Sequence, residues 1–385
     1  MDTALIYLDN AATSFPKPES VYAAVNKALR EECGNPGRSG HRLSLAAGRI
    51  IDDARMLCAQ ILHAPSPDTI VFTHNTTTAL NIAIKGILSP GDHVLTTSLE
   101  HNSVTRPLYA LQDAGIEVTK LPTDVCCGAD VSAIAKALRR NTKLIICTHI
   151  SNVTGTQNDI AAIGAFCREH GVTFLVDSAQ SAGSRRIDVQ DMRIDMLAFP
   201  GHKGLFGPQG TGGLYIRPGL ALRTILQGGT GSASESLAQP ETLPARFENG
   251  TLNTPGLAGL AAGIRFVLEQ GVETIERREA GLINRLLEGI DSLKGVRIIG
   301  PGAGRPRGSV VSVYLDAMPP LSAACIFDSS FCIAVRSGLH CASDAHRSLG
   351  TLEQGGTLRI SPGYWNTNED IDKCLQALEF CAKGI

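Results

Sequence analysis

The chain of 385 residues is 43% hydrophobic and 19% charged, enough for a globular protein of two domains sharing a sizeable core. Its formal net charge of −2, with no long basic or acidic block, points away from nucleic acid and from membrane surfaces. No apolar run reaches the roughly 20 residues that span a bilayer, and the eleven cysteines include no CxxC pair, so neither a disulfide framework nor a zinc ribbon fits.

In chain order, the opening MDTALIYLDN has neither a basic region nor a signal-like apolar core, which predicts a cytoplasmic protein with reduced thiols. From about residue 69, short apolar runs alternate with segments of helical period. The predicted strands are TIVFT (69–73), HVLTT (93–97), IEVTKL (116–121), TKLIICTHI (142–150), VTFLVD (172–177), DMLAF (195–199) and GGLYI (212–216). This alternation predicts an α/β fold with a mostly parallel sheet flanked by helices, and a ligand site beyond the carboxyl ends of the strands. After about residue 255 the texture changes. A long amphipathic helix over 256–293, interrupted near Gly271, precedes the strand candidates VRIIG and SVVSVYLD, a short helix, FCIAVRSG, TLRIS and a final helix NEDIDKCLQALEFCAK. A smaller α+β domain is expected there, with GRPRG (304–308) as an exposed turn.

Lys203 sits in AFPGHKGLFGPQGTGG, just past a predicted strand end. Glycines 201, 204 and 207 would let the backbone crowd a ligand, and burial would lower the lysine's pKa and free its amine for Schiff-base chemistry. A plain loop lysine is the alternative. Asp177 closes VTFLVD, either as the N-cap of the next segment or as a partner for the pyridine nitrogen of pyridoxal phosphate. Thr76 to Thr78 open a helix after a strand, where free N–H groups suit a phosphate or simply a cap. His101, past another strand end, could lie on an aromatic cofactor, shuttle a proton, or merely occupy a loop. Cys341 lies between His340 and His346, where cationic neighbours would lower a thiol pKa; a structural thiol is the other reading, and no fourth ligand supports a metal. Arg359 could grip a substrate carboxylate through its guanidinium fork, or make a surface ion pair.

These segments, with YLDNAATSFPKP, HNTTTALN, EHNS, HISNVTGT, VDSAQSAG, RFENGTLNTPG and RSGLHCA, resemble the class V aminotransferase-like, fold type I pyridoxal-phosphate enzymes. Within that group the chain is similar to cysteine desulfurases and selenocysteine lyases of the short-loop type. The resemblance runs almost end to end. It implies a seven-stranded large domain over 14–255 and a small domain made of 1–13 and 256–385 that carries the active-site cysteine and the substrate arginine. By motif, Lys203 matches the Schiff-base lysine, Asp177 the pyridinium partner, Gln180 the residue bonding the ring hydroxyl, and His101 the ring-stacking histidine. Thr76, Thr77 and His202 match phosphate contacts. Thr251 matches a threonine that reaches the phosphate from a second subunit, implying a homodimer. Asn152, Arg38 and Arg359 match substrate-side positions, and Cys341 the residue that accepts sulfur.

The sequence departs from the family pattern at Pro200, where a phosphate-bonding Ser or Thr is usual, and at Gly37, Thr78, Leu339 and Ser343-Asp344. The expected reaction converts L-cysteine to L-alanine, with sulfur held as a persulfide and passed to an acceptor protein. L-selenocysteine cleavage, and aminotransferase or other β-lyase chemistry on the same scaffold, are the alternatives.

Overall fold

Residues 5–36, 40–231 and 235–384 are described by the computed structural model. The strands in chain order are β1 (Ile6–Tyr7), β2 (Ile70–Thr73), β3 (His93–Thr97), β4 (Glu117–Leu121), β5 (Thr142–Thr148), β6 (Thr173–Asp177) and β7 (Met196–Pro200). They continue as β8 (Gly212–Ile216), β9 (Val296–Ile299), β10 (Val311–Leu315), β11 (Ile333–Ala334), β12 (Arg336–Gly338) and β13 (Thr357–Ile360). Seven of them form one sheet in the order β2-β8-β7-β6-β5-β3-β4, parallel throughout except for β8, which runs against both of its neighbours. The fifth predicted strand is shorter than its apolar run. Past Thr148 the chain doubles back, with Ile150 bridged to Gln157 and the Ser151 N–H donating to the Thr156 carbonyl.

Successive side chains on a strand point to opposite faces, and here both faces are buried. Ile145, Phe174 and Leu197 pack with Leu57, Ile163 and Leu260 from the helices Arg42–Ile61, Ile160–His170 and Thr254–Gln270. Their neighbours Ile146, Leu175 and Ala198 pack with Leu80, Ile84 and Leu108 from the helices Thr76–Ile87 and Asn102–Gln112. Each large apolar side chain buried this way contributes about 1.5–3 kcal/mol relative to an exposed one, so these strand ends form a stiff frame.

A second, four-stranded antiparallel sheet has the order β12-β13-β10-β9. Its core contains Leu286, Phe327 and Leu378 from the helices Val272–Asp291, Pro320–Phe331 and Asn368–Ala382, together with Ile6 and Leu8 from the start of the chain. β1 pairs in parallel with β11 (Ile6↔Ile333), which ties the first residues to this unit. The predicted helix break falls at Gly271, whose φ of 80° lies in the left-handed region that glycine tolerates.

GRPRG is only partly the exposed turn predicted. Gly304 to Pro306 are exposed, but Arg307 is buried. Its guanidinium donates to the carbonyls of Pro301, Thr154 and Val310, so an arginine that reads as loop dressing ties two segments together. Among the described residues, no helix is long and apolar enough to cross a membrane. No group of three or more His, Cys, Asp or Glu side chains is placed there to hold a metal ion.

Candidate active site

The carboxyl ends of β5, β6 and β7 open into a cleft whose far wall is the β12–β13 edge of the small sheet. Lys203, Asp177, Gln180, His101, Thr76, Thr77, His202, Asn152, Arg359 and Cys341 all line it. Arg38 and Gly37 lie outside the described residues. Thr251 is not brought to this cleft; it is exposed and lines a separate hollow with Phe72, Thr78 and Phe247.

Lys203 follows β7, the strand that ends at Pro200. Burial lowers its pKa to about 8, with the Arg359 and Arg336 charges acting the same way and Asp177 opposing them. Its Nζ makes no hydrogen bond among the described residues, so the amine is available for chemistry. The glycines around it serve a different purpose from the one expected. A Cβ on Gly204 would lie 2.5 Å from the Ala182 carbonyl oxygen, and one on Gly207 2.8 Å from that of Gly201. They let this loop pack on the protein itself rather than on a ligand.

Asp177, at the end of β6, is 2% exposed. Burial raises its pKa, against a hydrogen bond from the Ala179 N–H (2.9 Å) and the charge of Lys203. One oxygen of Asp177 caps the following turn, while the residue also lines the cleft. Beneath it lies Glu100, fully buried, with its carboxyl pushed up to about 8 by burial. Glu100 Oε1 accepts from Thr97 Oγ1 (2.6 Å) and the Thr148 N–H (3.0 Å). Kept neutral, it adds no second negative charge beside Asp177.

His101 is the N-cap of the helix Asn102–Gln112, not a loose loop residue. Its Nδ1 accepts from the Ser103 N–H (3.0 Å) and lies 2.9 Å from Ser103 Oγ, which in turn meets Thr77 Oγ1 at 2.7 Å. That chain fixes the ring's orientation. Burial lowers the imidazole to about 4, helped by Lys203, so it is neutral near pH 7. At the neighbouring helix Thr76–Ile87 the cap is Asn75, whose Oδ1 accepts the Thr78 N–H at 2.9 Å. The threonines are thus not needed as caps; Thr76 and Thr77 line the cleft at a helix start whose first N–H groups have no intrahelical acceptor.

Arg359 is buried and not a surface pair. Its Nη2 bonds Asp9 Oδ1 at 2.8 Å and its Nη1 the Asn152 carbonyl at 3.2 Å, while Nε has no partner among the described residues. Asn152 Nδ2 donates to the His340 carbonyl (2.7 Å), holding the loop that presents Cys341. Cys341 is exposed, at a φ of 57°. The cationic histidines expected beside it are not there. Burial pushes both His340 and His346 well down, and each ring bonds a threonine, Thr357 or Thr351. The cation at the thiol is Arg336, whose Nη2 lies 3.9 Å from Cys341 Sγ.

Sequence reasoning passed over Arg336, Asp9, Ser103, Glu100 and Lys17. Arg336 stood five residues before Cys341 in VRSGLHCA and was the readable signal. The departures also find places. Pro200 lines the cleft without a donor. Asp344 bonds Lys120 on β4 and Arg347, anchoring the short helix after Cys341 to the large sheet.

The cleft thus gathers Lys203, Arg336 and Arg359 against Asp177 and Asp9, a positive balance suited to a phosphate and a carboxylate. His202 Nδ1, buried and without a partner among the described residues, and the open helix start are suited to a phosphate, and the Asp177 carboxylate to a protonated ring nitrogen. The residues fit pyridoxal phosphate.

Known proteins agree. The chain is 37% identical over 381 residues to a probable cysteine desulfurase of Methanothermobacter thermautotrophicus, covering 97% of this chain and 94% of that one. The solved apo structure of a cysteine desulfurase from Thermococcus onnurineus NA1 matches with a TM-score of 0.93 and 35% identity, over 99% of this chain and 95% of the other. A cysteine desulfurase from Escherichia coli, in its S-sulfonic acid form, matches at 0.88 and 28%, over 98% and 95%. The aminotransferase class-V family profile matches residues 6–374. Fold, cleft and relatives converge: this chain belongs to the class V aminotransferase family of pyridoxal-phosphate-dependent, fold type I enzymes.

Proposed function

We propose that the protein is a cysteine desulfurase, turning L-cysteine into L-alanine and keeping the sulfur as a persulfide on Cys341. The observation that carries this reading is the placing of the Cys341 sulfur, beside Arg336, on the wall of the cleft that holds Lys203 and Arg359. The chemistry pyridoxal phosphate supplies when bound is an electron sink for the pair left on the substrate's Cα. Asp177 would hold the proton on the ring nitrogen, His101 would stack on the ring, Gln180 would bond its hydroxyl, and Thr76, Thr77 and His202 would hold the phosphate.

Arg359 receives the substrate α-carboxylate, aided by Asn152 and Arg38. Lys203 Nζ, its pKa lowered to about 8 by burial, would anchor the cofactor and then take the Cα proton. The Cys341 thiolate attacks the substrate sulfur. The C–S electron pair stays with carbon, which takes a proton and ends as alanine.

Thr251, exposed and away from this cleft, supports a homodimer in which each copy completes the other's phosphate site. The persulfide then passes to an acceptor protein in the cytoplasm. The same reading divides the chain into a large domain over 14–255 and a small one of 1–13 and 256–385. It is supported by the separate core around Ile6, Leu286 and Leu378, although the helix Thr254–Gln270 packs on the large sheet.

The test is a spectrum of the purified protein before and after L-cysteine, with alanine and sulfide measured. A borohydride-sensitive visible band on Lys203 and one alanine per persulfide are expected. A bound cofactor without alanine would sink desulfuration. Selenocysteine turnover that survives Cys341→Ala, with no cysteine turnover in the wild type, would make the protein a selenocysteine lyase. Pyridoxamine phosphate with a keto acid would mark an aminotransferase.

A further inference from the structure

The segment Thr13–Lys17 converges on the backbone of the lysine that does the chemistry. The carbonyl of His202 accepts from Thr13 Oγ1 (3.0 Å), the Ser14 N–H (3.1 Å) and Lys17 Nζ (2.8 Å). The next carbonyl, that of Lys203, accepts from Ser14 Oγ at 2.9 Å, and Lys17 Nζ donates to that same hydroxyl at 2.7 Å. Two successive peptide groups are therefore held by a strap from nearly two hundred residues away in sequence.

Lys17 is an expensive choice for tying a turn. Its ammonium is half-buried, and burial lowers its pKa to about 8. It has no carboxylate within ion-pair distance among the described residues. Removing a cation from water without an anion opposite costs free energy that a neutral donor would not incur. What faces it is the His202–Lys203 backbone and, close by, the His202 imidazole, which burial and the charges of Lys203 and Lys17 keep neutral. In the tautomer protonated at Nδ1, a neutral ring can donate that unpartnered N–H to a phosphate.

The geometry points to Lys17 as a positioning residue for Lys203, fixing the His202–Lys203 backbone so that Nζ projects into the cleft. This rests on the reading that Lys203 anchors the cofactor and moves the Cα proton. A general base displaced by an ångström loses rate rather than affinity.

The experiment compares the wild-type holoenzyme with K17M and K17R. It measures kcat per bound cofactor, KM for cysteine, the rate of cofactor release, and the melting temperature of the cofactor-free protein. K17M is expected to lower kcat per bound cofactor about tenfold and to speed cofactor release, with KM within about twofold. K17R should restore at least half of kcat. Wild-type kcat per bound cofactor in K17M overturns the inference, as does a loss explained wholly by a lower melting temperature. Should K17M not fold, S14A removes the donor to the Lys203 carbonyl and should lower kcat in the same direction; no change overturns the inference. A wild-type protein that neither retains the cofactor nor makes alanine refutes the proposed function instead, before any variant is compared.

Discussion

The two halves of the cleft are built on opposite plans. Asp177 ends β6 and Lys203 lies just past the end of β7, strands whose side chains are buried on both faces almost without exception. Cys341, exposed between the buried His340 and Ala342, rides on a loop with two successive residues, His340 and Cys341, at positive φ. That loop is held by a small cluster of Ala342 and Ala345 with Leu99 and Val153 and by polar threads: Asn152 to the His340 carbonyl, the Asn102 N–H to the Cys341 carbonyl (2.7 Å), His340 to Thr357, and Asp344 to Lys120. Proton transfer needs one fixed geometry, whereas a sulfur carrier must face inward to load and outward to deliver. The rigid half suits the first task and the tethered half the second.

The sharpest way to break this comparison is to remove one group from each half. Lys203→Ala should cut turnover by about 10³-fold or more and abolish borohydride capture of the cofactor. Cys341→Ala should stop cysteine turnover as fully, yet keep the capture on Lys203, as read by peptide mass spectrometry. Equal loss of capture in both would mean that the halves are not separable. Next in size, Asp177→Asn should lower kcat about a hundredfold with the persulfide loop intact, measured in single turnover.

Arg336→Ala should slow persulfide formation about tenfold, since the guanidinium is the cation beside the sulfur, while leaving the visible band unchanged. The pH dependence belongs to the rigid half. The Lys203 pKa is lowered to about 8, so its free amine grows as pH rises through that value and is lost below it. Recapture of pyridoxal phosphate by the cofactor-free protein should therefore accelerate between about pH 7 and pH 9, and a flat stopped-flow profile would contradict the assignment. The smallest effect is expected from Asp344→Ala. An ion pair partly open to water is worth about 0–1 kcal/mol, so persulfide delivery should change by only a few-fold at most.

The rigid half was the legible half. Runs such as LIICT and TFLVD are apolar because both faces of a parallel sheet are covered, and a charged residue at the end of such a run announces itself, as Asp177 does. Lys203 was readable for the same reason. The tethered half was legible only by motif. Nothing local in HCASDAH tells that both histidines fold inward and go neutral, because their partners, Thr351 and Thr357, lie several residues further on. The pairing of Arg359 with Asp9 joins residues 350 positions apart, and no periodicity carries that distance. The glycines near Lys203 were read as space for a ligand, though the atoms that need the space are the carbonyls of Ala182 and Gly201, brought there by the fold.

The pairing of Ile6 with Ile333 bears on how the chain is made. The strand that opens the small unit leaves the ribosome early, and its partner is still unsynthesised for more than three hundred residues. At about 5–20 residues per second, that delay lasts roughly 15–70 s. Through that interval the large sheet can close around its own strands while Ile6 and Leu8 wait without their native cover. Asp9, three residues past Ile6, waits as long for Arg359. The Arg359–Asp9 pair thus forms only after the strands of the large sheet have been made, and a nascent chain stalled before β13 would carry Lys203 and Asp177 without Arg359 opposite them.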